Sequence, residues 1–492
     1  MSLYSFNDIN LIEEKWGDIM DSVEKEKLHH LEPSYTEMTD VFNIICQFII
    51  SKQRKIYGSY GLNLLLKNKN ENESIYSKYE IPDIDFYSPT PIVDLIELCN
   101  ILCDKNFTMV IGKDAQHLET YNVSVNCNVY CDITYVSKNI YNTIPFYKIN
   151  NYIVVQPMFM NIDYMRMITD PITSYWRFGK DIKILKRYQL LQSYYPIPQT
   201  KYNISIEPND QQTKNVMNEL FNIIIQKNTL VVIGFYAYNY FLHVSELHKV
   251  NKLFNILEIP YLELISIDYK NDFFWIMTNL KNSNVDIDKI THVEYYPFFQ
   301  FTDFNVDIFY EDKLICKIYG NNQKSIQYQS VPIIPFTFNI LNKSQNKLQI
   351  GSFSLVLLYY MIKMIRMRTN GETNLKDLYC TVISHLVDIR NYYLNRTQKN
   401  IISNTIFKDF SVKCIGKTIS SYRKRHLVIE ERKKNNQKIT FTYEPQENRK
   451  NPDEIPYYFS NTSGNKIINE SHFIFKETVE ENLIDVSNND NQ

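Results

Sequence analysis

The chain has 492 residues, 44% of them hydrophobic and 22% charged, a globular composition with room for two to three domains. Its formal charge of −2 excludes coating nucleic acid by bulk electrostatics, so a nucleic-acid partner would need a local basic channel. The longest apolar run, Ser354–Ile365, is too short to span a membrane and carries Lys363, so a soluble protein is expected.

In chain order, "SYTE" at Ser34–Glu37 has the form of a capping box, and Met38, Phe42, Ile45 and Ile49 follow at helical spacing. The stretch Ile56–Leu66, "IYGSYGLNLLL", reads as a short strand, a Gly-Ser turn and a helix. A polar loop covers 67–78. In "IPDIDFYS", Ile81–Ser88, alternation puts Ile84 and Phe86 on one face and Asp83 and Asp85 on the other. A helix over Pro91–Asp104 and a strand over Phe107–Ile111 come next. In the strand Cys127–Val136, Val129, Cys131 and Ile133 are expected to face the core, with Asp132 and Thr134 facing away.

Asp170 and Pro171 suit the N-cap and first turn of a helix running to Tyr195. On it, Arg177, Lys180, Lys183 and Arg187 recur at intervals of 3, 3 and 4, a cationic stripe suited to triphosphate or RNA backbone. A solvated helix face accounts for any one of them equally well. A polar stretch over 201–212 reads as a domain boundary, and a helix over Asn215–Gln226 follows. Farther on, Arg423, Lys424 and Arg425, with Lys413 and Lys417 upstream and Tyr422 for stacking, could track an RNA strand. Glu430 and Glu431 interrupt that cluster and slightly favour an ordinary solvated surface. The expected domains are 1–200, 201–440 and a polar tail over 441–492.

The eight cysteines are scattered and no leader-like segment opens the chain, which suits a reducing compartment. Cys99/Cys103 and Cys127/Cys131 are spaced as C-x3-C, but they fall on a helix and a strand, so buried free thiols are expected before zinc.

Two carboxylates at i and i+2 on one strand face can grip a divalent cation from the same side, and a third on a neighbouring strand completes a two-metal clamp for displacement at phosphorus. Alone, each part is weak; their order carries the signal. Tyr57-Gly58-Ser59, then Asp83-Ile84-Asp85-Phe86, then Cys131-Asp132-Ile133 resemble the DNA polymerase β-like nucleotidyltransferase superfamily. One departure is that Asp83 lies 24 positions after Ser59 (83 − 59), longer than that family's usual spacing.

Within the superfamily the chain is most similar to the mimivirus-type poly(A) polymerase catalytic subunits of giant DNA viruses, distant relatives of the poxvirus enzyme. The likeness runs through the opening motif, "IPDIDFYS" and "DPITSYWRFGKDIKILKRYQLLQSYYP". It implies an α+β fold and template-independent addition of AMP from ATP to RNA 3′ ends. It also implies two Mg²⁺ or Mn²⁺ ions, a homodimer, and location in the virion and host cytoplasm. Carried onto these residues, Asp83, Asp85 and Asp132 are catalytic metal ligands. Gly58, Ser59, Lys180 and Lys183 bind nucleotide, and Arg177, Arg187, Arg423, Lys424 and Arg425 bind RNA. The alternatives are a nucleotidyltransferase of another specificity, such as tRNA or uridylyl tailing, and a non-catalytic RNA-binding scaffold.

The opening phrase returns as "VIGFYAYNYFL" at Val232–Leu242, and "IPDIDFYS" returns as "IPYLELIS" at Ile259–Ser266. "DITY" at Asp132 pairs with "DIFY" at Asp307. In this second copy Phe235 replaces Ser59, Tyr261 replaces Asp83 and Glu263 replaces Asp85. Two mixed-sheet nucleotidyltransferase-like domains are therefore expected, the second a degenerate copy with an architectural role.

Overall fold

Ser34 opens the first helix with a buried face: its side chain accepts from the Glu37 amide, and Val41, Ile45, Cys46, Phe48 and Ile49 are buried. The reciprocal half of the expected capping box is not formed, because Glu37 instead accepts from the Asn126 side chain. This geometry comes from a computed structural model that describes residues 2–170, 172–174, 183–199, 201–283, 285–321, 324–340, 347–436, 440–449 and 467–469. Arg177 and Lys180 lie outside the described residues, as does most of the polar C-terminal stretch.

Two compact units make up the chain, and both are discontinuous in sequence. The first is Met1–Tyr135, Phe146–Val155 and Arg425–Tyr457; the second is Val136–Pro145, Gln156–Lys424 and Tyr458–Gln492. The break expected near residue 200 does not coincide with this division.

In the first unit, helices α1 (Phe6–Glu14), α2 (Trp16–His30) and α3 (Tyr35–Ser51) precede β1 (Lys55–Tyr57), α4 (Gly58–Lys69), β2 (Ile84–Ser88) and α5 (Pro91–Asp104). Five strands follow: β3 (Ile111–Asp114), β4 (Thr120–Val125), β5 (Asn128–Tyr135), β6 (Phe146–Ile149) and β7 (Tyr152–Val155). They form one mixed sheet in the order β3-β4-β5-β2-β1-β7-β6, with the short strand Thr442–Tyr443 beside β3. Ile56, Ile84, Phe86, Val123, Ile133 and Val154 are wholly buried, and neighbours such as Tyr87 and Val155 are buried too, so the sheet is covered on both faces there.

That alternation fails in β5. A register shift between Val123 and Ser124 leaves Tyr130 unopposed, and Tyr130 is buried while Val129 is exposed. Thr134, expected to face away from the core, is buried, because its hydroxyl pairs with those of Tyr57 (2.8 Å) and Thr120 (3.1 Å). At the N-terminal end of β1, Arg54 holds Asp94 with two bonds of 2.6 and 2.7 Å, and Ser88 Oγ donates to the same carboxylate at 2.6 Å.

The second unit's sheet runs β15-β13-β14-β8-β9-β12-β11-β10 and ends with the short strand Ile467–Asn469. Here β8 is Leu230–Ile233, β9 Leu262–Ser266, β10 Ile290–Tyr295, β11 Asn305–Tyr310, β12 Lys313–Gly320, β13 Ile326–Pro332, β14 Lys347–Gly351 and β15 Cys414–Ile415. Helix Phe353–Asn370 is buried on most sides and packs beside helix Thr373–Thr397. Its apolar run is therefore core, and among the described residues no helix is long and apolar enough to cross a membrane.

The two sheets repeat one plan strand for strand: β3-β4-β5-β2-β1-β7-β6 matches β10-β11-β12-β9-β8-β14-β13. In each, a strand ends in a glycine at φ +66° (Gly58) or +65° (Gly234) that opens a helix. Smaller details recur as well. Asn63 Oδ1 accepts from Ser74 and Ile75, and Asn239 Oδ1 accepts from Leu257. Ser266 donates to Asp272 as Ser88 does to Asp94, and Lys227 pairs with Asp272 at 2.5 Å as Arg54 does with Asp94.

Two substitutions test this framework by chemical denaturation. Removing the Arg54 guanidinium in Arg54→Ala leaves the buried Asp94 carboxylate uncompensated, and a loss of about 3–5 kcal/mol is expected. Gly234→Ala imposes a Cβ at positive φ against the Glu263 carboxylate, and a loss of about 1–3 kcal/mol is expected. Wild-type stability in either variant would contradict the assignment.

Candidate functional site: a carboxylate row beside a glycine turn

β1 lies between β2, antiparallel, and β7, parallel, so its C-terminal end is held on both sides. Tyr57 at that end stacks on Tyr87 with ring centroids 4.0 Å apart and planes 4° from parallel. The chain then turns at Gly58, where φ is positive and a Cβ would collide with the Asp85 carboxylate. Only glycine permits both the left-handed backbone and the close approach. α4 starts at once, with no side-chain cap from its N-cap residue Tyr57, so its first amide groups face the same end of the sheet as Asp85.

Register builds the rest. Tyr57 opposes Asp85, Asp85 is the parallel partner of Asp132 on β5, and Asp132 opposes Asn122 on β4. The row Tyr57–Asp85–Asp132–Asn122 thus crosses four adjacent strands. Asp83 stands exposed just before β2, and Asp85 and Asp132 are half-buried. Burial, and then the negative charge of Asp83, push Asp132 up to about 6. Negative charge accumulates here, which is the electrostatic setting that a bound cation relieves. The long spacing from Ser59 to Asp83 is taken up by α4 extending to Lys69 and by a loop pinned at Asn63 and through Ser77 to Glu24.

Hard carboxylate oxygens side by side on the adjacent central strands β2 and β5 fit Mg²⁺ or Mn²⁺, which keep water and phosphate oxygens as further ligands. Among the described residues, no group of three His, Cys, Asp or Glu side chains is gathered tightly enough to hold an ion unaided. The set is open, so substrate oxygens would have to complete it. Asn122 escaped the sequence reading, since an Asn in an alternating strand carries no signal until register places it opposite Asp132. Cys99 and Cys131 are buried free thiols; Cys127 is exposed.

The basic residues have mixed positions. Lys183 opens helix Lys183–Tyr194. Arg187, on the same helix, is half-buried and opposes the upward push of burial on the Tyr164 hydroxyl, which still reaches about 12. Arg423 is exposed beside Tyr422, which is 72% exposed. Lys424 is half-buried, pulled down by burial and drawn up by Asp303 and Asp170. Arg425 donates to the Ala115 carbonyl at 2.7 Å, and Arg432 sits 3.8 Å from Asp114, so these two tether helix Ser421–Lys434 to the β3–β4 region.

The second unit keeps the frame and changes the donors. Gly234 approaches Glu263 as Gly58 approaches Asp85, and Ile233 opposes Glu263. Glu263 is the parallel partner of Lys317 on β12, and Lys317 opposes Asp307 on β11. The place of Asp132 therefore belongs to Lys317, and Asp307 takes the place of Asn122. Pairing "DITY" with "DIFY" is corrected accordingly: the two strands alternate alike, but only β12 lies parallel to β9.

Residues 43–174 match the family described as "Poly(A) polymerase catalytic subunit", and residues 189–477 match "APMV, Putative poly(A) polymerase, catalytic subunit, C-terminal". A "Putative poly(A) polymerase catalytic subunit" of Acanthamoeba polyphaga mimivirus is 33% identical over 501 aligned positions, covering 96% of this chain and 84% of the relative. A namesake from African swine fever virus is 32% identical over 173 positions, covering 34% of this chain and 35% of the relative. The crystal structure of the Megavirus polyadenylate synthase superposes with a TM-score of 0.86 at 31% identity, covering 96% of this chain and 94% of that one. The chain belongs to the mimivirus-type family of viral poly(A) polymerase catalytic subunits, which are nucleotidyltransferases.

Proposed function

We propose that the first unit adds AMP from ATP to the 3′ end of RNA without a template, using Asp83, Asp85 and Asp132 to hold two divalent cations. The observation that carries this reading is the register row that sets Asp85 beside Asp132, directly under the glycine turn that opens α4. The second unit is assigned an architectural role, because its equivalent row reads Glu263 and Lys317.

In this reading the Gly58 turn and the first amides of α4 receive the triphosphate, with Ser59 beside them. Asp83 and Asp85 would hold both ions and Asp132 the ion nearer the RNA end. Bound there, the ions lower the pKa of the 3′-hydroxyl and offset charge on the leaving pyrophosphate. The hydroxyl gives up its proton to solvent, its oxygen bonds to the α-phosphorus, the bond from that phosphorus to the α–β bridging oxygen breaks, and pyrophosphate leaves with that oxygen. Tyr57, fixed by its stack on Tyr87 and its bond to Thr134, keeps β1 in register so that the turn and the carboxylates meet. Lys180 and Lys183 are assigned to the triphosphate. Arg177, Arg187, Arg423 and Lys424 are assigned to RNA phosphates, and Arg425 chiefly to anchoring its helix.

Purified protein with an RNA primer, Mg²⁺ or Mn²⁺ and each nucleoside triphosphate separately tests the reading. Extension with ATP alone is expected; extension with UTP or CTP moves the substrate to another tailing reaction, and no product with any nucleotide favours a scaffold. Asp83→Ala and Asp85→Ala are each expected to lower incorporation at least about a thousandfold, on the order of 4 kcal/mol of transition-state stabilisation, with unchanged thermal unfolding. Near-normal activity in either variant would sink the assignment.

The exposed cations Lys413 and Arg423 make a separate prediction. Lys413→Ala/Arg423→Ala is expected to weaken RNA binding about two- to tenfold at low salt and to flatten its salt dependence. An unchanged salt slope would mean that both are merely solvated. Light scattering of the purified chain checks the expected homodimer, with the monomer mass as the contrary outcome.

A further inference from the structure

The second unit contains a feature that loss of catalysis alone does not require. Glu263, which takes the place of Asp85, is wholly buried, and its Oε2 accepts from the Lys363 ammonium at 2.6 Å. Lys363 is itself only 5% exposed and comes from helix Phe353–Asn370. Its ammonium lies 3.8 Å from the Tyr360 ring centroid, 4.8 Å from that of Tyr379 and 5.5 Å from that of Phe235. Lys317, in the place of Asp132, is 2.8 Å from Asp307 with both side chains nearly buried. Degeneration by simple loss would leave apolar or neutral groups. Here one buried carboxylate, Glu263, is kept at the place of Asp85, a second, Asp307, stands at the place of Asn122, and each is matched by a lysine.

We propose that the second unit retains the cation site of the repeat with its cations built into the chain: the Lys363 and Lys317 ammoniums serve there in place of divalent ions. Several observations support this beyond the two ion pairs. Phe235 replaces the small Ser59 and its ring faces the Lys363 ammonium, so the room that a phosphate would need beside the glycine turn is filled. Tyr261 replaces Asp83 and its hydroxyl bonds to that of Tyr379 at 3.1 Å, closing the solvent side. The second Glu263 oxygen, Oε1, has no hydrogen-bond partner, as befits a carboxylate inherited from a site with more ligands than one ammonium replaces. Three aromatic faces around Lys363 compensate the ammonium for lost water.

A tethered cation has a different thermodynamic signature from a bound one. A metal-filled site gains stability with ion concentration and loses it to a chelator, whereas a lysine is present at fixed stoichiometry. The second unit would then stay rigid while nucleotide and metal come and go elsewhere in the protein. It would bind neither a divalent ion nor a nucleoside triphosphate.

Two measurements on the full chain test this. The first uses Asp83→Ala/Asp85→Ala/Asp132→Ala protein, in which the first unit's carboxylates are removed, and titrates Mn²⁺ by electron paramagnetic resonance. No tightly bound ion is expected, and one bound Mn²⁺ per chain would overturn the proposal. The second is a double-mutant cycle on melting temperature with Glu263→Gln and Lys363→Met. Each single variant should melt several degrees below wild type, while the double variant, which removes both charges, should recover much of the loss. Additive losses would show that Lys363 does not neutralise Glu263. Because neither measurement reads polymerase activity, failure here is distinguishable from failure of the proposed reaction.

Discussion

The structure of the site depends on one close approach, the packing of the Gly58 backbone against the Asp85 carboxylate. It requires a residue without a side chain in a left-handed conformation, a strand on each side to hold the turn still, and a carboxylate on the neighbouring strand in the matching register. Each condition is met by a separate interaction: pairing of β1 with β2 and β7, stacking of Tyr57 on Tyr87, and the Tyr57–Thr134 hydroxyl bond. Loss of any of these moves the turn relative to the carboxylates, and chemistry at phosphorus tolerates little such movement.

The second unit preserves the same approach, Gly234 against Glu263, although it lacks the row of carboxylates. In the proposed architectural reading of the second unit, the turn has a packing role independent of catalysis. What differs is charge balance. In the first unit burial and Asp83 leave Asp132 raised, a state that a cation would relieve; in the second, lysines meet the carboxylates directly. A buried carboxylate without a partner is costly, so a duplicate that no longer binds ions must either lose its acids or acquire cations. In the proposal made above, Lys317 and Lys363 represent the second course.

Much of this was legible in the sequence. Pro91–Asp104 is a helix to the residue, and the Gly-Ser turn and the repeat of the opening phrase appear as expected, while the acidic strand starts at Ile84 and leaves Asp83 just before it. The errors share a cause. Val129 departs from its expected face because a bulge adds a residue that strict alternation cannot anticipate, and Thr134 keeps its face but is covered there by Tyr57 and Thr120. Asp307 was matched to Asp132 because similar tetrapeptides on neighbouring strands are indistinguishable until the ladder is known. Arg425 read as one of three adjacent cations, and its bond to Ala115, 310 positions away, is a tertiary contact.

The sequence by itself determined the elements, the glycine turns and the acidic strand, since these follow from local sterics and from periodicity of two or 3.6 residues. It also determined family membership, because motif order survives where individual motifs are weak. Only tertiary structure decided which carboxylates are neighbours, that Asn122 joins their row, and that lysines from β12 and from helix Phe353–Asn370 occupy the second site. Those are statements about strand register and packing between segments far apart in the chain. A lysine 100 positions from its glutamate leaves no local trace, because the bond between them exists only once the buried space they share has formed.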